Sequence, residues 1–286
     1  MAVKEEATLN LSQQARKHLV TSITDGVAII TMNRPEKLNG WTMAMMESFR
    51  EAISNADQAE SVKAIIFSGR GKYYSAGVNL SGILKLSTPK TLHKSLVELN
   101  QALFEIFLLC KKPILAAING PAIGASVTSA TLCNGIIAAE SATFSTPFAA
   151  LGITPEGCSS VLFSRLMGEE TAHRMLGNEG WKPTAQEAHS AGLVQWTAPD
   201  DQLIPKAMEI AKEWVQNNQK RAFLGDSELD ELLAVNARES EALADAFLSY
   251  DFMSTQARFL WRKKKRVPSL MFFSLWASRP LWGKLL

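Results

Sequence analysis

One carboxylate stands out in the sequence because of what surrounds it. Glu156 lies in residues 144–160, FSTPFAALGITPEGCSS, where no other residue carries a charge. A carboxyl group that is poorly solvated in such a setting has a raised pKa, which suits it to act as a general base near neutral pH. Pro-Glu-Gly is also an ordinary surface turn. The sequence alone leaves both interpretations open.

Two glycine-bearing loops are candidates for binding a carbonyl oxygen. In residues 73–80, YYSAGVNL, small side chains allow a ligand to approach the backbone closely. Residues 119–126, NGPAIGAS, lead into a predicted helix, whose first turn offers free N–H donors. One N–H group from each loop would form an oxyanion hole. A Gly-Pro turn before a helix is often only structural, and neither loop has the spacing of a nucleotide-phosphate site.

The bulk composition is that of an ordinary globular protein. The 286 residues are 47% hydrophobic and 20% charged, and the net charge is +2. This small charge argues against general nucleic-acid binding. The three cysteines and four histidines lack the spacing of a zinc site or a disulfide framework. We therefore expect no metal, no cofactor and a reducing compartment, and we find neither a signal peptide nor a stretch of about 20 apolar residues that could span a bilayer.

Hydrophobic periodicity predicts an α/β protein that ends in helices. We predict four parts: a flexible lead-in over residues 1–16, an α/β core over 17–202, a helical subdomain over 203–266 and an apolar tail over 267–286. In the core, the pattern predicts a hairpin over residues 19–32 and strands over 64–67, 113–118 and 135–139, with a last short strand after 192–194. Helices are predicted over 41–56, 89–109, 125–132, 161–167, 172–176, 185–191, 204–216, 227–236 and 239–262.

The tail, VPSLMFFSLWASRPLWGKLL, is apolar and aromatic and follows the basic run of residues 262–266. Arg279 and Pro280 interrupt it, so it is too short to span a bilayer. We expect it to dock on its own chain or on a neighbouring subunit. Association with a membrane surface is the alternative.

Three motifs, in this order, resemble the crotonase (enoyl-CoA hydratase/isomerase) superfamily. They are SAGVNL at residues 75–80, KKPILAAINGPAIGASVTSA at 111–130 and FSTPFAALGITPEGCSS at 144–160. The resemblance covers about residues 18–262. Within the superfamily, the second and third motifs are most similar to the peroxisomal type of Δ3,Δ2-enoyl-CoA isomerase. The resemblance implies a spiral of repeated β-β-α units with a C-terminal helical subdomain.

The resemblance also implies roles for particular residues. Val78 and Ala125 match the two backbone donors of the oxyanion hole, and Glu156 matches the catalytic base. Hydratases of the superfamily use two glutamates to activate water, and Thr128 and Phe148 stand at those positions here. The loop that lines the acyl-CoA substrate comprises Ser75, Ala76, Gly77, Val78 and Asn79. Trp41 is expected either to line the acyl pocket or to pack in the core.

These matches imply an isomerase that shifts the double bond of a 3-enoyl-CoA to the 2-trans position by a 1,3-proton transfer, in the β-oxidation of unsaturated fatty acids. Coenzyme A would be part of the substrate, and the family forms trimers or trimer pairs. The alternatives are a crotonase-type enzyme for a specialised acyl-CoA, as in secondary metabolism, or a non-catalytic acyl-CoA-binding homologue. A peroxisomal location is implied, but the C-terminal Lys-Leu-Leu differs from the Ser-Lys-Leu signal. A cytoplasmic or mitochondrial location is the alternative.

Overall fold

A six-stranded sheet forms the centre of the computed structural model, which describes residues 7–79 and 87–283. Its strands lie in the order β1-β2-β3-β4-β6-β8. The first two strands form the predicted antiparallel hairpin, and all later neighbours pair in parallel. The strands are β1 (Leu19–Thr24), β2 (Val27–Met32), β3 (Ala64–Gly69), β4 (Ile114–Ile118), β6 (Gly135–Ala139) and β8 (Trp196–Ala198).

Helices cover the sheet and extend beyond it, as the periodicity predicts. The helices of the first two thirds of the chain are α1 (Gln13–Arg16), α2 (Met43–Gln58), α3 (Pro89–Leu108), α4 (Ala125–Thr131), α5 (Phe148–Leu151), α6 (Ser159–Met167), α7 (Glu169–Leu176) and α8 (Ala185–Ser190). The later helices are α9 (Leu203–Gln216), α10 (Leu229–Phe247), α11 (Tyr250–Arg262) and α12 (Arg266–Trp282). The predicted mixed α/β fold with a helical C-terminal region is thus confirmed.

The central strands are buried on both faces, which explains why their sequences are continuous apolar runs. Helix α9 covers one face, although the sequence analysis assigned it to the helical subdomain. The side chains at this contact include Leu203, Ala207 and Ile210 of α9 and Ile66, Leu115 and Ile137 of the sheet. The α/β layers therefore continue past residue 202.

Trp41 packs in the core on the other face of the sheet. Its ring meets Phe49 edge-to-face at 5.1 Å, and Phe49 meets Phe67 of β3 in the same way at 5.2 Å. The indole Nε1–H donates to the sulfur of Met32 at 3.3 Å. Of the two interpretations of Trp41, the structure favours core packing.

A second, two-stranded sheet lies outside the predicted pattern. It consists of β5 (Ala122–Ile123) and β7 (Phe144–Ser145), which pair in parallel. Strands of two residues are too short to show an alternating hydrophobic pattern. This small sheet joins the second glycine-bearing loop to the segment that precedes Glu156.

The lead-in differs from the prediction over residues 7–16. Ala7 accepts a backbone hydrogen bond from Ile23 of β1, and Leu9, Leu11 and Ala15 are buried. These apolar side chains alternate with polar residues in a short segment, so composition alone underestimates their packing. The segment closes one edge of the sheet next to α2.

The C-terminal helices break at a different place from the predicted one. Helix α10 runs through the expected break near residue 237 and ends at Phe247. Ser249 then begins α11, because its side chain accepts the N–H of Phe252 at 3.2 Å and so caps the new helix.

The apolar tail folds back as α12 on α11, so it docks on its own chain. Phe272 and Trp282 of α12 pack with Phe252 and Leu260 of α11 in one apolar cluster. The side chain of Ser269 also donates to the carbonyl of Ala257 at 2.7 Å. Within residues 7–79 and 87–283, no helix combines the length and apolar character that a bilayer crossing requires.

We expect Phe272→Ala to detach or destabilise α12. Phe272 is 3% exposed, whereas its neighbour Phe273 is 52% exposed. Truncating the buried ring should cost about 3 kcal/mol, and Phe273→Ala should cost about 0.5 kcal/mol. Urea unfolding and hydrogen exchange of the α12 amides would measure both variants. Equal effects at the two positions would contradict the docking face described here.

Candidate active site

Glu156 lines a narrow, mostly apolar cavity of about 40 Å³. The walls come from α2, α3, α10, the loop before residue 80 and the segment after α5. The lining residues are Met46, Val78, Leu96, Leu99, Asn100, Leu103, Ile153, Glu156, Leu243 and Phe247. This volume holds one or two water molecules. Binding of a larger ligand would therefore require the aliphatic side chains of the wall to move.

The Glu156 carboxyl group is desolvated, as the sequence analysis predicted. It is 8% exposed. Burial raises its pKa to about 8, and repulsion from Glu239 adds to that effect. Within the described part of the chain, no N–H or O–H group donates to this carboxylate. A carboxyl group with this pKa both accepts and returns a proton near neutral pH.

The turn that carries Glu156 has an unusual backbone. Gly157 and Cys158 both have left-handed conformations, with φ of 64° and 62°. A Cβ atom on Gly157 would lie 2.5 Å from the ring of Phe104 and 2.7 Å from the hydroxyl of Thr128. Glycine is therefore required on both conformational and steric grounds. The turn is fixed further by Ser159, whose hydroxyl donates to the Glu156 carbonyl at 2.7 Å.

Cys158 has a packing role beside Glu156. Its side chain is fully buried, and the thiol donates to the carbonyl of Leu232 at 3.2 Å. Burial raises the pKa of the thiol. A neutral, buried thiol of this kind is a poor nucleophile.

Glu239 is a second buried acid that the sequence analysis missed. It is 7% exposed and lies on α10, and its carboxylate accepts the backbone N–H groups of Cys158 at 2.6 Å and Ser160 at 2.9 Å. Its position within a predicted amphipathic helix gave no sign of this contact. The two partners are 81 and 79 residues away along the chain.

The two glycine-bearing loops meet, as the sequence analysis expected. Ser75 accepts the N–H of Ile123 at 3.0 Å and donates its own N–H to Pro121 at 3.3 Å. A Cβ atom on Gly77 would lie only 2.5 Å from the carbonyl oxygen of Ile123. The close approach of the loops therefore depends on glycine at position 77.

This contact places Val78 and Ala125 on adjoining segments of backbone. Trp41 donates to the carbonyl of Gly77 at 2.8 Å and accepts the N–H of Asn79 at 2.9 Å. Because alternate groups of an extended segment point in opposite directions, the N–H of Val78 points away from Trp41. Ala125 is the first residue of α4 and follows Gly124, so helix geometry leaves its N–H without an intrahelical acceptor.

The other residues of the first loop have different surroundings. The Ser75 side chain is buried, and it donates to the carbonyl of Asn39 at 2.9 Å and accepts the N–H of Gly77 at 3.0 Å. Ala76 donates its N–H to Leu38 at 2.9 Å. Asn79 is exposed, and Leu80 lies outside the described residues. The Ser75 hydroxyl therefore shapes the loop instead of presenting a side chain to a ligand.

Two asparagines also contribute, and the sequence analysis missed both. The Asn39 amide donates to the carbonyls of Arg70 at 3.0 Å and Tyr73 at 2.9 Å, so it holds the start of the first loop. Asn100 lines the cavity with Glu156, and its amide donates to the Ser240 hydroxyl at 2.9 Å. Asparagine is common in loops and on helices, and neither residue lies in one of the three motifs.

The positions that match the hydratase glutamates are buried and uncharged. The Thr128 hydroxyl donates to the carbonyl of Ala125 at 3.3 Å, and Phe148 is buried. Neither side chain offers a base that could activate water at neutral pH.

A wider groove of about 790 Å³ lies between α11 and α12 and shares no lining residue with the Glu156 cavity. It is lined by Ala257, Arg258, Trp261, Arg262, Ser269, Leu270 and Phe273. Arg266, from the basic run, stacks on Trp261 at 3.8 Å.

Gly157→Ala should lower the free energy of unfolding by about 3 kcal/mol. The new methyl group would force both a left-handed alanine and contacts with Phe104 and Thr128. Gly152→Ala is the matched control, because Gly152 has a left-handed conformation, with φ of 70° and ψ of 31°, and nothing within 4 Å of its Cβ position. It should cost about 1 kcal/mol. Urea denaturation of both variants would show whether steric contact adds to backbone strain.

Glu156→Gln should change how stability depends on pH. The pKa of Glu156 rises from 4.5 to about 8 on folding. The contribution of this carboxyl group to the free energy of unfolding is therefore fully present below about pH 4.5, and it is lost as the pH rises through 8. The free energy of unfolding of Glu156→Gln, minus that of the wild type, should grow by a few kcal/mol between about pH 5 and pH 9. Urea denaturation across this range would measure it, with Glu140→Gln as an exposed control. A constant difference would contradict a buried neutral carboxyl group.

Comparisons with known proteins agree with this geometry. A family model described as enoyl-CoA hydratase/isomerase matches residues 22–263. A rat protein named Enoyl-CoA delta isomerase 2 is 34% identical over 270 residues, which cover 89% of this chain and 66% of the rat protein. This chain thus spans slightly less than two thirds of the rat relative. A mouse protein named Enoyl-CoA delta isomerase 3, peroxisomal, is 32% identical over 269 residues, 89% of this chain and 81% of its own.

A solved structure with a similar fold is an enoyl-CoA hydratase/isomerase from Pseudoalteromonas atlantica. It has a TM-score of 0.73 and 27% identity, and the match covers 86% of this chain and 97% of that one. The shared fold and the match of the family model over residues 22–263 agree with each other. The chain belongs to the enoyl-CoA hydratase/isomerase family.

Proposed function

We propose that the chain is a Δ3,Δ2-enoyl-CoA isomerase, with Glu156 as its acid/base. The observation that carries the proposal is one narrow, mostly apolar cavity that is lined by both Glu156 and Val78. The names of the rat and mouse relatives support the same activity.

In the proposed reaction, the thioester carbonyl of a 3-enoyl-CoA accepts hydrogen bonds from the N–H groups of Val78 and Ala125. Glu156 removes a proton from C2, and the negative charge develops on the carbonyl oxygen as an enolate. Backbone donors that are already oriented stabilise this charge without reorganisation. The same carboxyl group then returns the proton at C4, which gives the conjugated 2-trans-enoyl-CoA.

One carboxyl group is sufficient for this transfer because C2 and C4 lie on the same face of the allylic system. The aliphatic walls, such as Leu99, Leu103 and Ile153, would keep solvent from exchanging with the transferred proton. The raised pKa of Glu156 reduces the free-energy difference between its two protonation states near neutral pH.

Hydration is disfavoured by the surroundings of Glu156. Thr128 and Phe148 supply no second base, and Glu239 is not part of the cavity wall. Its carboxylate is already engaged by two backbone N–H groups. Among the described residues that line the cavity, Glu156 is therefore the one usable acid/base.

The remaining expectations about the substrate and the assembly stay predictions. The segment from Ser75 to Asn79 would lie along the thioester and adenine ends of acyl-CoA. The trimeric or hexameric state, the peroxisomal location and the role in β-oxidation likewise rest on the resemblance to the family.

The test is to incubate the purified protein with 3-hexenoyl-CoA and to follow the absorbance of the conjugated enoyl thioester. Glu156→Gln should lower kcat by about 10³-fold or more, because no other described residue of the cavity wall can move the proton. Thermal unfolding would verify that the variant is folded. A folded variant that keeps its activity would eliminate Glu156 as the base.

Hydration of 2-hexenoyl-CoA by the same preparation provides the matched control for reaction type. It should be much slower than isomerisation. Faster hydration would overturn the proposal in favour of a hydratase.

A further inference from the structure

Helix α6 lacks a cap from its own side chains. Elsewhere in the fold, Thr42, Thr88, Thr184 and Ser249 cap their helices with a local hydroxyl group. Helix α6 instead has Cys158 as its N-cap residue, and this side chain makes no cap hydrogen bond. The first N–H groups of a helix need acceptors.

Glu239 supplies these acceptors from α10. One carboxylate oxygen accepts the N–H of Cys158 at 2.6 Å, and the other accepts the N–H of Ser160 at 2.9 Å. A local serine or threonine would cap the helix without a charge. Glu239 fulfils the same role with a buried carboxylate. It does so at Cys158, which follows Glu156 by two residues.

The bonds to Glu239 span the strained part of the turn. Cys158 is held at φ of 62°, which costs of order 1–3 kcal/mol for a residue with a side chain. Such a conformation persists only where surrounding contacts fix it. Because the turn begins at Glu156, its geometry determines where the Glu156 carboxyl group points.

Burial raises the pKa of both Glu239 and Glu156, but Glu239 has more neighbouring groups that favour a negative charge. Glu239 has two N–H donors, the positive end of the α6 dipole and the nearby Arg238, all of which favour its charged form. Burial opposes them and raises its pKa. Glu156 faces the negative charge of Glu239 without comparable donors. Two other ionisable groups lie nearby. The Cys158 thiol is neutral because burial raises its pKa, and the Glu231 carboxylate is paired with Arg165.

We propose that Glu239 is a positioning residue for the Glu156 carboxyl group: it holds the turn of residues 156–160 and places a fixed negative charge beside the base. The inference deepens the proposed function and rests on it for its kinetic readout. Glu239 itself stays outside the cavity and does not touch the reacting atoms. Its charge makes Glu156 a stronger base than burial alone would.

Glu239→Gln tests the charge. The amide keeps one acceptor but removes the negative charge, so Glu156 should ionise more easily. The midpoint of the Glu156 titration should fall by about one pH unit. Infrared or ¹³C NMR spectra of glutamate-labelled protein would follow this titration, and the signal is assigned by its absence in Glu156→Gln. The matched control is Glu241→Gln, which removes an exposed carboxylate from the same helix and should leave the midpoint unchanged.

The same shift should be visible in catalysis. The acid limb of the kcat profile should move to lower pH in Glu239→Gln, and the maximal kcat should fall about ten- to a hundredfold because the turn is less well held. If the wild type shows no isomerase activity, the proposed function fails, while the spectroscopic titration still tests the inference. An unchanged titration midpoint in folded Glu239→Gln would overturn the inference.

Glu239→Asp covers the case in which the glutamine variant does not fold. Aspartate keeps the charge but is one methylene shorter, so it cannot reach both N–H groups from α10. We expect a fall in kcat of about tenfold with little movement of the titration midpoint. A folded aspartate variant with wild-type kcat would overturn the positioning role.

Discussion

The two hydrogen bonds from Cys158 and Ser160 to the Glu239 carboxylate join the C-terminal helices to the turn that carries Glu156. The turn contains two successive left-handed residues and no local cap for α6. Without an acceptor from α10, two N–H groups would be buried unpaired, which costs about 1–3 kcal/mol each. The position of Glu156 therefore depends on a helix far away in the sequence.

The apolar surroundings of the Glu156 carboxyl group come from elements that lie far from it in the sequence. Helices α3 and α10 contribute aliphatic side chains to the cavity. Helix α10 also carries Glu239, whose negative charge repels that of the Glu156 carboxylate. The resulting pKa of about 8 makes Glu156 unlike an ordinary surface glutamate. Because the Glu156 carboxyl group is desolvated, its ionisation at high pH lowers the free energy of unfolding. The site therefore makes the folded protein less stable at high pH. Such a conflict is common where a fold carries a reactive group.

The second constraint is the close contact between the two glycine-bearing loops. Gly77 fits against the carbonyl of Ile123, and the β5–β7 pair ties the second loop to the segment before Glu156. Three motifs that are far apart in sequence thus share one region of the fold. The buried asparagine Asn39 fixes the first loop through backbone carbonyls, so the loop shape does not depend on a ligand.

The sequence by itself determined the six strands of the main sheet, most of the helices and the chemical character of Glu156. Apolar runs, helical periodicity and the Asp-Gly turn are local properties, and they predicted the hairpin and the later strands well enough to place the motifs. The uncharged stretch of residues 144–160 likewise indicated a poorly solvated carboxyl group. The family resemblance added the residue-by-residue roles.

Only the tertiary structure decided which distant groups meet that carboxyl group. Glu239 and Asn100 lie on helices whose hydrophobic pattern predicts the buried face but not the distant group that each side chain meets. A hydrogen bond across about 80 residues leaves no trace in the local periodicity. The two-residue strands and the packed segment of residues 7–16 escaped prediction for a related reason. They are too short for a pattern, and their stability comes from contacts with the rest of the fold. The sequence supplied the poorly solvated carboxyl group, and long-range packing fixed its direction and its surroundings.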